Sequence, residues 1–265
     1  MGMLRSLYSA AAGLLSTGIQ EGVVADNLAN TGTTGYKARQ AALATFAPLA
    51  LSRVQPFAQA LSAASGLGSG ALGTVTSGAL VDVTGTDWSE GTLQQSTSPL
   101  AAAIDGPGFF AVATGQGVQY TRDGDFRFNA GGQLTDPAGD VVLGANGQPL
   151  VAAGGESSGA ASIDDHGLLS VGGTAVGTVG VFAPPTNALS SAGGGLFTLT
   201  PGTAAPGLQA GATIRPGYLE GSNVDLIGQM ASLLQIQQAF TSDQQAVQTA
   251  DSTLNTGITE VGTIA

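Results

Sequence analysis

The C-terminal end of the chain carries an apolar seam that no isolated helix can bury. Leu226, Met230, Leu233, Gln237, Phe240, Gln244, Val247, Asp251, Leu254, Ile258 and Val261 follow one another in steps of four and three. That is the heptad spacing of a coiled-coil helix, with Gln237, Gln244 and Asp251 as polar interruptions. The preceding GSNVD, residues 221–225, supplies a start, with Ser222 or Asn223 as N-cap and Asp225 favourable in the first turn. No proline follows Pro216. The helix is expected to run to about Val261, a length of about 55 Å.

Such a seam needs a partner, and the N-terminus holds the other helical pattern: Leu4, Leu7, Ala11, Leu14 and Gly18, then Val24 and Leu28 after a slip. The two ends are therefore expected to meet. Arg5 followed by SLYSAAAGLL could pass for a signal peptide, but the helical period continues past any cleavage site, so the helix is read as retained. MGMLRS fits a myristoylation pattern too short to carry weight. After Arg215, Glu220, Asp225, Asp243, Asp251 and Glu260 have no basic neighbour. They either lie on a solvated face or find positive charge in the N-terminal part or in another subunit.

The first helix is broken abruptly by DNLANTGTTGYK, residues 26–37. Asn27 and Asn30 can satisfy backbone groups freed at the fraying end, Gly32 and Gly35 permit the turn, and Tyr36 can pack back. Behind it, residues 45–85 are rich in Ala, Gly and Ser without a clear period. From about Pro99 to Pro206 short apolar runs such as FFAVAT, VQYTRDGDFRFN and LFTLT alternate with turns such as NAGGQL and GANGQP, the pattern of a small all-β domain.

Composition narrows the function. The 265 residues are 43% hydrophobic and 9% charged, with a net charge of −11, so the basic footprint of a nucleic-acid binder is missing. The absence of cysteine excludes disulfides and thiolate chemistry. No apolar run is long enough for a transmembrane helix, and the chain is expected to be soluble.

Candidate chemistry is weak. GESSG around Ser157, with Asp164, Asp165 and His166 downstream, has the composition of a triad. A nucleophile elbow needs a strand before the serine and a helix after it, and here there are glycines and a turn, so His166 is read as an exposed turn residue. Asp123 and Asp125 have calcium-loop spacing, but Arg127 occupies a ligand position and Leu134 stands where the bidentate glutamate belongs. They are read as a solvated pair in a turn. Gly106 and Gly108 lack the third glycine of a phosphate cradle and serve a tight turn into a strand. Trp88 and the few other aromatics form no stacking platform. The chain is expected to be neither an enzyme nor a cofactor or metal protein.

MLRSLYSAAAGLL followed by VVADNLANTGTTGYK resembles the N-terminal signature of the flagellar basal-body rod and hook family. DGPGFFAV with YTRDGDFRFNAGGQL resembles the opening of that family's central β domain, and GYLEGSNVD the lead into its C-terminal helix. The resemblance implies an axial structural protein, exported without a cleaved signal through the flagellum's own secretion channel and polymerised helically. Terminal helices would form an inner tube and β domains an outer wall. Partners would be further copies of the chain, other rod and hook proteins and the export apparatus, with no nucleic acid and no membrane insertion. Its length fits a rod subunit, proximal or distal, because the hook subunit carries an extra β domain. The chain departs from the family pattern at Asp26, where asparagine is common, and at Gln238, where arginine is common. Gly13, Gly18 and Gly22 weaken the first helix by up to about 1 kcal/mol each relative to alanine.

The expected fold is α+β, with N- and C-terminal helices pairing as a coiled-coil-like layer and an all-β domain between them. The expected divisions are 1–37 helix and turn, 38–97 extended linker with some strand, 98–205 β domain, 206–223 return linker and 224–265 C-terminal helix. Residues expected to carry structure and assembly are Leu4, Leu7, Leu14, Asn27, Leu28, Asn30, Gly35 and Tyr36 near the N-terminus. In the middle they are Gly106, Phe109 and Phe110, and at the far end Asn223, Met230, Leu233, Phe240, Val247 and Leu254. The alternative is a secreted adhesin or glycan-binding β domain on a helical stalk.

Overall fold

A computed structural model describes residues 2–45, 49–52, 71–75, 79–152, 161–209 and 211–262. Helix α1 runs Gly2–Ala29 and helix α2 runs Leu226–Gly262. With the strands between them the fold is α+β. The chain divides into two compact units, one of Met1–Ala25, Gln40–Gly85 and Met230–Ala265, the other of Asp26–Arg39 and Thr86–Gln229.

In the first unit, α1 and α2 meet where a Cβ added to Gly13 would fall 2.7 Å from Asp243 Oδ2. The seams differ from those read off the sequence. On α1, Ser16, Thr17, Val23 and Val24 are buried, whereas Ala11 and Gly18 face outward. Ser16 and Thr17 can be buried because their hydroxyls donate to the Gly13 carbonyl, 2.8 and 3.0 Å away, leaving no unpaired donor. On α2 the covered face runs through Leu233, Ile236, Phe240, Asp243, Val247 and Ala250. It keeps Leu233, Phe240 and Val247 but places Ile236 and Asp243 inside and turns Gln237, Gln244 and Asp251 outward, so that the long polar side chains stay in water. The side chains of Leu4, Leu7 and Leu254 lie outside the described residues.

The N-cap of α2 is also corrected. Asp225 caps it, its Oδ1 accepting the Ile227 N–H at 3.1 Å. Asn223 is committed elsewhere, and Ser222 Oγ accepts the Val224 N–H, ahead of the helix. Arg39–Thr45, which enters this unit at Gln40, pairs with Ala79–Thr86, which leaves it after Gly85, and Leu49–Ser52 pairs antiparallel with Ala71–Val75.

The second unit is built on an eight-stranded antiparallel sheet whose middle strands are Gly117–Thr121 and Phe109–Thr114. The hairpin they form pairs Ala111 with Tyr120. Side chains alternate across the Phe109–Thr114 strand and both faces are covered, which explains the uninterrupted FFAVA run. Phe110 and Val112 enter the larger core with Phe126, Leu134 and Leu169, while Phe109 and Ala111 pack on the other face with Tyr120 and Phe197. The chain returns through Thr213–Pro216 on Ala102–Asp105 and Tyr218–Glu220 on Leu93–Gln95.

Candidate functional site

The residues that interrupt the first helix converge on a buried clamp within the second unit. Asn27, almost fully buried, uses its whole amide. Its Oδ1 accepts the Arg39 N–H at 2.8 Å and the Tyr36 hydroxyl at 3.2 Å, and its Nδ2 donates to Arg39 O at 2.8 Å and Gln229 Oε1 at 3.3 Å. Burial raises the Tyr36 hydroxyl above its ordinary pKa, with nearby Asp26 adding to the effect and Arg39 opposing it. Asn30 stays half-buried, tying the frayed turn through its Nδ2 to Asp26 O at 2.8 Å.

Gly35 permits the approach that follows. Its φ is +67°, its N–H donates to Glu220 O at 2.7 Å, and an added Cβ would stand 2.4 Å from the backbone of Arg122 and Asp123. That contact brings Lys37, Glu220 and Arg122 together, exposed by only 2, 1 and 4%. Lys37 Nζ donates to Glu220 Oε1 at 2.6 Å and to Ser89 O at 2.7 Å. Arg122 Nη1 donates to Glu220 Oε2 at 3.1 Å and Nη2 to Gly106 O at 2.9 Å, with the guanidinium carbon 5.2 Å from the Phe109 ring centre. Glu220 Oε1 also accepts the Gly91 N–H. One carboxylate thus offsets two cations, and burial pushes the Lys37 ammonium below its ordinary pKa while Glu220 pulls it back.

Asn223 closes the other side. Its Oδ1 accepts the Ala38 N–H at 2.7 Å, and its Nδ2 donates to Asp87 O at 3.0 Å and to Ser89. Gly91 and Gly221 fit backbone to backbone, since a Cβ on Gly91 would overlap Gly221 O. Asp123 is not solvated as the sequence reading had it. Its Oδ1 accepts the Thr34 hydroxyl at 2.7 Å, and burial raises its pKa, opposed by that bond and by the Asp125 N–H.

The sequence had picked Asn27, Gly35, Tyr36 and Asn223, and the structure brings these four into the clamp. Lys37, Arg122 and Glu220 were missed as a group. Their signal was the acid in YLEG, isolated from any basic neighbour, which needed a cation from far along the chain. Gly106 and Gly108 turn the chain at φ +102° and +133° into the strand that places Phe109 and Phe110. Leu14 and Leu28 are half-buried on α1; on α2, Leu233, Phe240 and Val247 are half-buried and Met230 is exposed.

Ser157 lies outside the described residues. His166 is exposed, its ring Nδ1 2.6 Å from the carboxylate of its neighbour Asp165 and its backbone N–H donating to Asp164 Oδ1 at 3.0 Å.

Charges spent on closing the chain upon itself define a structural element, a clamp, and not a reaction centre. Residues 103–179 match the family described as Flagellar hook protein FlgE/F/G D1 domain, and residues 215–260 match Flagellar basal body rod FlgEFG protein C-terminal. The flagellar basal-body rod protein FlgG of Bacillus subtilis (strain 168) is 31% identical over 95% of this chain and 97% of its own length. FlgG of Buchnera aphidicola subsp. Schizaphis graminum is 30% identical over 95% and 98% of the two chains. The rod protein FlgF of Caulobacter vibrioides is 30% identical over 83% and 82%. The chain belongs to the flagellar basal-body rod protein family, whose members are structural proteins and not enzymes.

Proposed function

We propose that this chain is a structural subunit of the bacterial flagellar basal-body rod, polymerising helically into the axial drive shaft and the wall of the export channel. The observation that carries the reading is the match to rod relatives along 95% of the chain. The relatives named above are rod proteins and lend nothing to the adhesin alternative.

In this reading the terminal helices, 1–37 and 224–265, are the polymerising domain, and the coiled-coil-like pairing extends from the contact of Gly13 with Asp243. The β domain of 98–205 is joined to them by the segments 38–97 and 206–223, and the clamp at Asn27, Tyr36 and Asn223 fixes the subunit's geometry. Partners are further copies, other rod and hook proteins, and the export apparatus that passes the chain across the cytoplasmic membrane without a cleaved signal. Among the described residues no helix is long and apolar enough to cross a membrane.

The reading is tested on basal bodies purified from the source bacterium, with the chain located by mass spectrometry and immunogold labelling. Labelling confined to the rod is expected. Intact rods that lack the chain would overturn it.

A further inference from the structure

The faces that α1 and α2 turn away from each other expose large apolar side chains. On α2, Ile227, Met230 and Leu234 recur at three and four residues and are 79, 49 and 61% exposed. Beyond Leu234 the same face continues as exposed Gln238, Thr241 and Gln245, so the apolar patch is confined to the start of the helix. On α1, exposed Leu15 and Ile19 stand beside Gly18 and Gly22, where an added Cβ would meet nothing within 4 Å.

Charge is absent from both stretches. No Asp, Glu, Lys or Arg occurs between Arg5 and Glu21, nor between Asp225 and Asp243. A helix face that stays in water normally carries charge, whereas apolar, uncharged helical surface is surface that becomes covered.

The two faces share an interval. Ile227 and Leu234 are bulky and seven residues apart, about 10.5 Å along a helix. Ala11 and Gly18, on the exposed side of α1, repeat at the same interval and flank Leu15 with small residues. Matching seven-residue repeats of large and small side chains let helices pack knob into hole.

We propose that the Ile227–Met230–Leu234 face of α2 docks on the Leu15–Gly18–Ile19–Gly22 face of α1 in a second copy of the chain. This rests on the rod reading and adds which faces meet. Because the two faces differ, each copy keeps one of each kind free, and the contact propagates as an open helical array instead of closing as a dimer.

The lack of native cysteine makes the contact directly readable. The full-length chain is concentrated until it sediments as a polymer, and a variant carrying Gly18→Cys and Leu234→Cys is oxidised under the same conditions. A ladder of covalent oligomers is expected from the double variant, and nothing larger than dimers from either single variant. Leu234→Ser should reduce the sedimenting fraction at least tenfold without changing the melting temperature. If the double variant sediments with the parent yet stays monomeric after oxidation, this docking is wrong and the rod reading survives. If the parent chain sediments at no concentration, both fall.

Discussion

The clamp and the outer helix faces invert the usual distribution of polar and apolar groups. In the clamp, Lys37, Arg122 and Glu220 are withdrawn from water, while on the helices Ile227 and Leu234 stand in it. Burying three charges is costly and repaid only by close pairing and hydrogen bonding, so the clamp specifies one geometry more than it adds stability. Exposing isoleucine and leucine has the opposite meaning: that surface is unfinished in the single chain. One region closes the molecule, and the other leaves it open to a neighbour.

The comparison is most sharply broken at Glu220. Glu220→Ala strands Lys37 and Arg122 as buried, uncompensated cations and should cost about 3–5 kcal/mol in urea unfolding. Gly35→Ala, at positive φ and against the backbone of Arg122, should cost about 3 kcal/mol by the same measurement. Asn27→Ala leaves the Arg39 N–H and the Tyr36 hydroxyl without their acceptor and should cost about 2 kcal/mol.

A smaller effect is expected at Asp123, whose pKa is raised in the folded state by burial. A raised carboxyl favours the fold at low pH and loses that contribution as pH rises through the folded value. Asp123→Asn should therefore raise the melting temperature slightly at pH 7, and this gain should vanish below the ordinary carboxylate range. A gain that persists in acid would show that charge burial is not its cause. At the open end of the comparison, Ile227→Thr should change monomer stability by less than about 0.5 kcal/mol, because the side chain touches mostly water. A larger loss in urea unfolding would mean that the α2 face is already covered.

The helices, the β-rich middle and the break after Ala29 were legible because each rests on local chemistry: a repeat of three and four, short apolar runs between turns, and Asn and Gly where a helix ends. The N-cap was misplaced because Ser222, Asn223 and Asp225 are all good caps locally. The choice fell to Asp225 only because Ala38, Asp87 and Ser89, far away in the chain, occupy Asn223. The α1 seam was legible only in part for a related reason: Leu14, Val24 and Leu28 are covered as expected, but Ser16 and Thr17 take the place of Ala11 and Gly18 because their hydroxyls bond back to Gly13.

By itself, then, the sequence determined the periodicities and turn positions, and through them two terminal helices around a β-rich middle, because these depend on residues within a few positions of one another. Only the tertiary structure decided which helix face is inside and which acid meets which base. Lys37, Arg122 and Glu220 are separated by 85 and 98 residues. Their pairing depends on how the strands return and on Gly35 admitting close backbone contact, and no local pattern encodes either.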